Sequence, residues 1–146
     1  MEPDAYADSS FLVSLHRDDA HHESATAFLA KSLLFLAFTP LHRIEVRNAL
    51  RHATASGAMP AAACRLAFRQ LDEDLRDGLL IHAAVEWPAV FRRADALSEK
   101  HAAKDGVRTL DLLHVALAIE SGAKTFLSFD QRQRKLAKAA GLKVKP

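Results

Sequence analysis

Cysteine is nearly absent from this chain of 146 residues: Cys64 stands alone, which excludes an intrachain disulfide and a cysteine-based zinc centre. Its surroundings, AAACRLAF, are those of a small buried helix position. Glycine and proline number only five each and no biased run appears, so neither a long linker nor a disordered tail is expected. No apolar stretch approaches the roughly 18 residues a membrane span needs, and the acidic start MEPDAYADSSF lacks the basic and apolar regions of a secretory leader. A cytoplasmic protein with no membrane association is the expectation. The patterns GxxxxGK[ST], GxGxxG and GxSxG are missing, which leaves nucleotide phosphate loops and serine-hydrolase elbows without support. With one Trp, one Tyr and eight Phe, largely in apolar runs, no platform for stacking bases is evident.

Against these absences, 49% of the residues are hydrophobic, enough to bury the core of one domain over 1–146. Apolar runs bounded by turn signals predict strands at 4–8, 33–39, 78–85, 124–129 and, more weakly, 142–145. Helical periodicity predicts helices over 10–17 and 20–31, 41–56 and 60–76, 87–103, 109–121 and 131–140. Such alternation is the signature of an α/β layer fold on a mainly parallel sheet. Thr39-Pro40 supplies an N-cap with proline at the first helical position, and Gly122 and Gly141 end helices ahead of the last two strands.

Charge is unevenly spread. The 16 residues after Asp130 contain six basic side chains, Arg132 and Arg134 among them, and no acid, leaving 14 basic against 18 acidic residues in the rest. A basic end beside an acidic body suits a polyanion track next to a metal site, with Arg132 and Arg134 as substrate contacts; a solvated helix face explains it equally well.

Four acids stand at or near strand-to-helix junctions. Asp8 follows the first predicted strand, and Asp130 closes TFLSF in the same way, so both belong to the carboxyl edge of the sheet, where open parallel sheets bind ligands. Each is also what a helix N-cap requires. Asp111 lies in the first turn of the apolar helix TLDLLHVALAIE, where the helix dipole favours an acid but burial does not. Glu45, in TPLHRIEVRNAL, shares a face with Leu41 and Asn48 and, taken alone, reads as a surface partner for a neighbouring arginine. His114, three residues after Asp111, reads as a packed core histidine. Four convergent carboxylates would present hard oxygen ligands to Mg²⁺ or Mn²⁺, a site suited to phosphodiester hydrolysis.

The segments YADSSFLVSL, LHRIEVRNAL and RTLDLLHVALAIESGAKTFLSFDQRQRKLAKAAGLKV, in that order and spacing, resemble the PIN-domain ribonucleases, most closely the VapC-type toxins of bacterial toxin–antitoxin pairs. The resemblance spans nearly the whole chain. It implies a PIN-like three-layer α/β/α fold with a mainly parallel sheet of four or five strands. It also implies an acidic quartet of Asp8, Glu45, Asp111 and Asp130 acting as metal ligands and catalytic residues, with Ser10 and Ser128 as polar supports. The implied cofactor is Mg²⁺, with Mn²⁺ able to substitute, and the implied partners are an RNA substrate, a cognate antitoxin and a second copy in a homodimer. Ser128 stands where threonine is commoner in the family, and DSS replaces the frequent DTS. A PIN nuclease of RNA processing and a non-catalytic binding module on the same fold remain open. A receiver-like phosphoacceptor is disfavoured because no acidic pair ends the first strand. A D-x-D phosphatase is disfavoured because Ser10 holds the place of the second aspartate.

Overall fold

The computed structural model describes residues 2–146, apart from the side chains of residues 102, 104 and 105. The chain runs β1 (Ala5–Ala7), α1 (Ser9–His16), α2 (His22–Ser32), β2 (Leu36–Phe38), α3 (Pro40–Ala55), α4 (Ala61–Asp77), β3 (Leu80–His82), α5 (Trp87–Asp105), α6 (Thr109–Glu120), β4 (Thr125–Leu127), α7 (Gln131–Ala139) and β5 (Lys143–Lys145). The strands form one five-stranded, all-parallel sheet in the order β3-β2-β1-β4-β5. Among the described residues no helix is long and apolar enough to cross a membrane.

Strand side chains alternate between two helical layers, as the period of two requires. Ala5, Ala7, Leu36, Phe38, Leu80 and Leu127 pack with residues of α1, α2, α3 and α4. Tyr6, Ala37 and Phe126 pack on the other face with residues of α5, α6 and α7. Both faces of the central strands are therefore covered, which accounts for the apolar runs AYA, LAF and TFL. The expected three-layer α/β/α architecture is present, at the upper end of the expected strand number. Cys64 is buried on α4, as its apolar context implied.

The second strand is shorter than its apolar run. LLFLAFT suggested a strand over 33–39, but Leu33 adopts φ 54° as the C-cap of α2, its N–H bonded to Leu29 O, and pairing begins only at Leu36. Hydrophobicity alone does not separate a helix cap from a strand start here, because Leu33 is 78% exposed and packs into neither. At the far edge, β5 carries Lys143 and Lys145 in exposed positions, where lysine discourages pairing with another sheet.

The strand order creates one place for a ligand. From β1 the chain winds to β2 and β3 on one side, then returns through α5 and α6 to β4 and β5 on the other. The crevice at this reversal lies beyond the carboxyl ends of β1 and β4, which pair in register from Ala5↔Thr125 to Ala7↔Leu127. β1 and β2, by contrast, pair only at Ala5↔Leu36. Where they separate, His42 takes over: its Nε2 donates to Ala7 O at 2.7 Å while its Nδ1 accepts the Thr39 N–H at 3.0 Å. The imidazole thus fixes the last residue of β1, immediately before Asp8.

Burial holds His42 neutral, lowering its pKa from 6.5 to about 3, with the nearby His114 adding to the effect. The unfolded chain binds the proton first, so the stability tied to this residue is complete above about pH 6.5 and is lost as pH falls toward 3. Denaturant unfolding between pH 7 and 4 should show a loss approaching about 1.4 kcal/mol per pH unit below pH 6. His42→Gln, which keeps an N–H donor, should be less stable at pH 7 and lack most of that slope. An unaltered slope in the variant would remove His42 from the account.

Candidate active site

Beyond the carboxyl ends of β1 and β4 the surface opens into a cavity of about 340 Å³. Asp8, Ser9, Ser10, Glu45, Arg108, Thr109, Leu110, Asp111, His114, Asp130 and Gln133 line it. All four acids singled out in the sequence therefore share one wall-to-wall space, although they come from the β1–α1 junction, α3, α6 and the β4–α7 junction. Ser10 lines it as well, and Ser128 lies directly beneath.

Asp8 is the buried member. As N-cap of α1 it accepts the Phe11 N–H at 2.8 Å, and the Ser10 hydroxyl donates to the same oxygen, Oδ1, at 2.8 Å. Ser128, fully buried, donates to Oδ2. The β1–β4 register makes this last bond possible: Leu127 O accepts the Asp8 N–H, which sets Ser128 level with Asp8 on the adjacent strand. Burial pushes the Asp8 carboxyl above its ordinary value, and the bonds from Ser128, Phe11 and Ser10 only partly offset it. The cap and the site are thus one arrangement.

Glu45 behaves differently. Oε1 accepts from the Ser9 hydroxyl at 2.8 Å and from His114 Nε2 at 2.5 Å. His114 is buried and receives the Tyr6 hydroxyl at Nδ1, 2.7 Å away. Burial, with the charges of Glu45 and Asp8, raises the Tyr6 pKa well above its ordinary value. The tyrosine therefore keeps its proton, and His114 turns its Nε2 toward Glu45. Burial opposes ionisation of Glu45, but the bonds from His114 and Ser9 outweigh it and hold the carboxyl below its usual range. The surface ion pair with a neighbouring arginine suggested by sequence does not form: Arg47 and Arg51 instead lie over the Phe68 ring, at 4.6 and 5.1 Å from its centroid.

Asp111 and Asp130 face the same space from helix N-termini. The first turn of α6 is less buried than its apolar sequence suggested, since Thr109 and Leu110 are exposed and Asp111 is half-buried. Asp111 Oδ2 accepts the Arg108 N–H at 3.2 Å, and Oδ1 accepts from Gln133 Nε2 at 3.2 Å. Asp130 caps α7 by accepting the Gln133 N–H at 3.1 Å. Gln133, buried, thus joins the two acids, a link that local pattern does not reveal because it depends on how α7 meets α6. Arg132 and Arg134, expected as substrate contacts, do not line the cavity. Arg132 is exposed on α7, and Arg134 donates to Ser128 O at 2.7 Å, bracing the loop beneath the site. Arg108, which the sequence reading did not select, lines the cavity instead. Away from the cavity, His16 meets Asp74, His21 stacks on Phe129 and His22 bonds Ser14 O.

Because the Asp8 pKa is raised, its favourable contribution to stability is present below pH 3.8 and lost as pH rises through the folded value. Metal-free Asp8→Asn should consequently melt at or above the wild-type temperature at pH 7, the advantage disappearing toward pH 3. Ser128→Ala should be destabilised by about 1–3 kcal/mol, because it removes a donor from a buried carboxylate. Thermal scans of both variants across this range check the pair; a marked drop for Asp8→Asn at pH 7 would contradict the strain assigned to the charged form.

Residues 5–139 match the PIN domain family. No curated protein matches the chain by sequence. Among solved structures it is similar to Mycobacterium tuberculosis VapC20, a Sarcin-Ricin loop cleaving toxin, at TM-score 0.66 and 17% identity over 97% of this chain and 99% of that one. FitAcB from Neisseria gonorrhoeae is similar at TM-score 0.65 and 13% identity, covering 97% and 96% of the two chains. VapBC2 from Rickettsia felis, solved with a DNA fragment from its promoter, gives 0.61 and 14%, again over 97% and 96%. At these identities the structures establish a shared fold, and the family match covers all four acids: the chain belongs to the PIN-domain family.

Proposed function

We propose that this protein is a metal-dependent endoribonuclease and that it acts as the toxin of a toxin–antitoxin pair. The observation that carries the reading is the meeting of Asp8, Glu45, Asp111 and Asp130, from four separate parts of the chain, around one open cavity at the reversal point of a parallel sheet. The family resemblance supplies RNA as the polymer and Mg²⁺ or Mn²⁺ as the ion. The toxin assignment draws on the similarity to a Sarcin-Ricin loop cleaving toxin and to VapBC2. A cognate antitoxin and a homodimeric state belong to the same proposal.

The residues present fit a hard divalent cation. The acids offer carboxylate oxygens, and burial disfavours the charged form of Asp8, a cost that a cation beside it would relieve. Among the described residues no three His, Cys, Asp or Glu side chains stand close enough together to hold a metal ion as a group. Mg²⁺, which retains several waters and takes one or two carboxylates directly, does not require three.

Asp8, Glu45, Asp111 and Asp130 would hold the ion. When bound, it supplies a water of lowered pKa and positive charge beside the phosphodiester. Ser10, Ser128 and the Phe11 N–H hold the Asp8 carboxylate in one orientation. Ser9 and His114 engage Oε1 of Glu45, so Oε2, which takes neither of these bonds, is the oxygen available to an ion or an attacking water. Gln133 restrains Asp111 and Asp130 together. The protein's own task is thus to keep four carboxyl groups in place ahead of the ion.

Purified protein should cut total RNA at discrete positions with Mg²⁺ or Mn²⁺ and stop with EDTA. Asp8→Asn and Asp111→Asn should each lose at least about 100-fold in rate, the upper end of what removing even an outer partner costs a metal site. Mn²⁺ at about 100 times its Kd should stabilise the wild type by about 2.7 kcal/mol and the Asp8→Asn variant far less. Undiminished cleavage by both variants would overturn the catalytic assignment. RNA binding without cleavage or cation stabilisation would favour a binding module.

A further inference from the structure

Ten of the eleven residues lining the cavity are acidic, neutral or histidine; Arg108 is the exception. It is held by its backbone rather than its side chain, through the 3.2 Å bond from its N–H to Asp111 Oδ2. The side chain is exposed, and among the described residues its guanidinium makes no ion pair with Asp8, Glu45, Asp111 or Asp130, although all share the space. A flexible cation among four carboxylates would be expected to collapse onto one of them if its task were to neutralise them. We propose that Arg108 is a substrate-binding residue that contacts a backbone phosphate of the RNA next to the one being cut.

An RNA strand entering the cavity brings one negative charge per nucleotide toward four carboxylates, and a bound divalent ion can answer only the phosphate it touches. A neighbouring phosphate still meets the acids and needs a cation. A guanidinium provides a planar fork of donors matched to phosphate oxygens, and its charge persists at every working pH. Of the other arginines close in sequence to the four acids, Arg134 is bonded to Ser128 O and Arg47 lies over the Phe68 ring, while Arg43 and Arg132 are exposed outside the cavity lining. Arg108 is also placed three residues before Asp111, so the backbone that positions an acid positions the phosphate contact too.

The assignment rests on the nuclease reading, and the experiment separates the two. A labelled single-stranded RNA of mixed sequence, about 20 nucleotides long, is titrated by fluorescence anisotropy at several KCl concentrations, in the Asp8→Asn background so that it stays uncut. Arg108→Gln should weaken binding about five- to tenfold and reduce the slope of log K against log[KCl] by about 0.7, the value for one single-strand phosphate contact. Arg108→Lys should keep most of the slope. With active protein, Arg108→Gln should show its loss chiefly in KM rather than kcat. The metal-dependent rise in melting temperature should survive, because the Asp111 bond uses the Arg108 backbone.

Unchanged affinity and slope in Arg108→Gln would overturn the proposal while leaving the nuclease intact. So would a changed metal-free melting temperature with unchanged RNA affinity, which would make Arg108 a local charge balance. Absence of metal-dependent cleavage by the wild type would overturn the nuclease reading itself.

Discussion

A carboxylate buried just past the end of the central strand is costly to keep charged, and the molecule is arranged around that cost. Asp8 sits where β1 stops and α1 begins, and three donors reach it from two directions: Ser10 and the Phe11 N–H from its own helix, Ser128 from the neighbouring strand. The last depends on β1 and β4 pairing in parallel and in register, since a one-residue slip would turn Ser128 to the opposite face. These bonds lessen the penalty of burial without cancelling it, so the carboxyl remains raised above its ordinary range. Under the proposed function, a cation bound in the cavity that Asp8 shares with three other acids would relieve this cost.

The remaining acids are held in ways that differ with their depth. Glu45 is kept ionised by a buried chain that runs from Tyr6 through His114. Asp111 and Asp130 need less, because they sit at helix N-termini, where backbone N–H groups and the helix dipole already favour negative charge. Gln133 couples those two, and His42 closes the gap where β1 and β2 part. The sheet therefore does little by way of long ladders, its strands being three residues each, and much by bringing junctions together at one edge.

Much of this arrangement could be read from the chain. Asp8 and Asp130 follow apolar runs and precede helical ones, so their places at strand ends follow from local pattern, and parallel strands put them on one edge. Glu45 was legible only through family resemblance, since mid-helix acids are ordinarily surface residues. Ser10 and Ser128, the supports of Asp8, came with the family resemblance, but the side chains that support Glu45 were beyond sequence logic for a physical reason. Ser9 and Glu45 lie 36 positions apart, His114 and Glu45 69, and Tyr6 and His114 108, and their contacts are set by how whole layers pack. His114 was expected to be a core histidine; it is buried, yet its Nε2 faces the cavity. The basic C-terminal segment was less informative, because six charges along a chain do not reveal which helix face they occupy. Arg134 turned inward to a carbonyl, the lysines of β5 guard a sheet edge, and Arg108 reached the cavity.

In the proposed function, this cavity is a divalent-cation site built on a buried aspartate. Anomalous diffraction from crystals soaked in Mn²⁺ locates such an ion directly. The account predicts a peak within about 2.2 Å of an Asp8 oxygen, with the other acids bonded to it directly or through water, and no peak in Asp8→Asn crystals soaked alike. An ordered, accessible cavity with no Mn²⁺ peak, or a peak that persists in the variant, would contradict it.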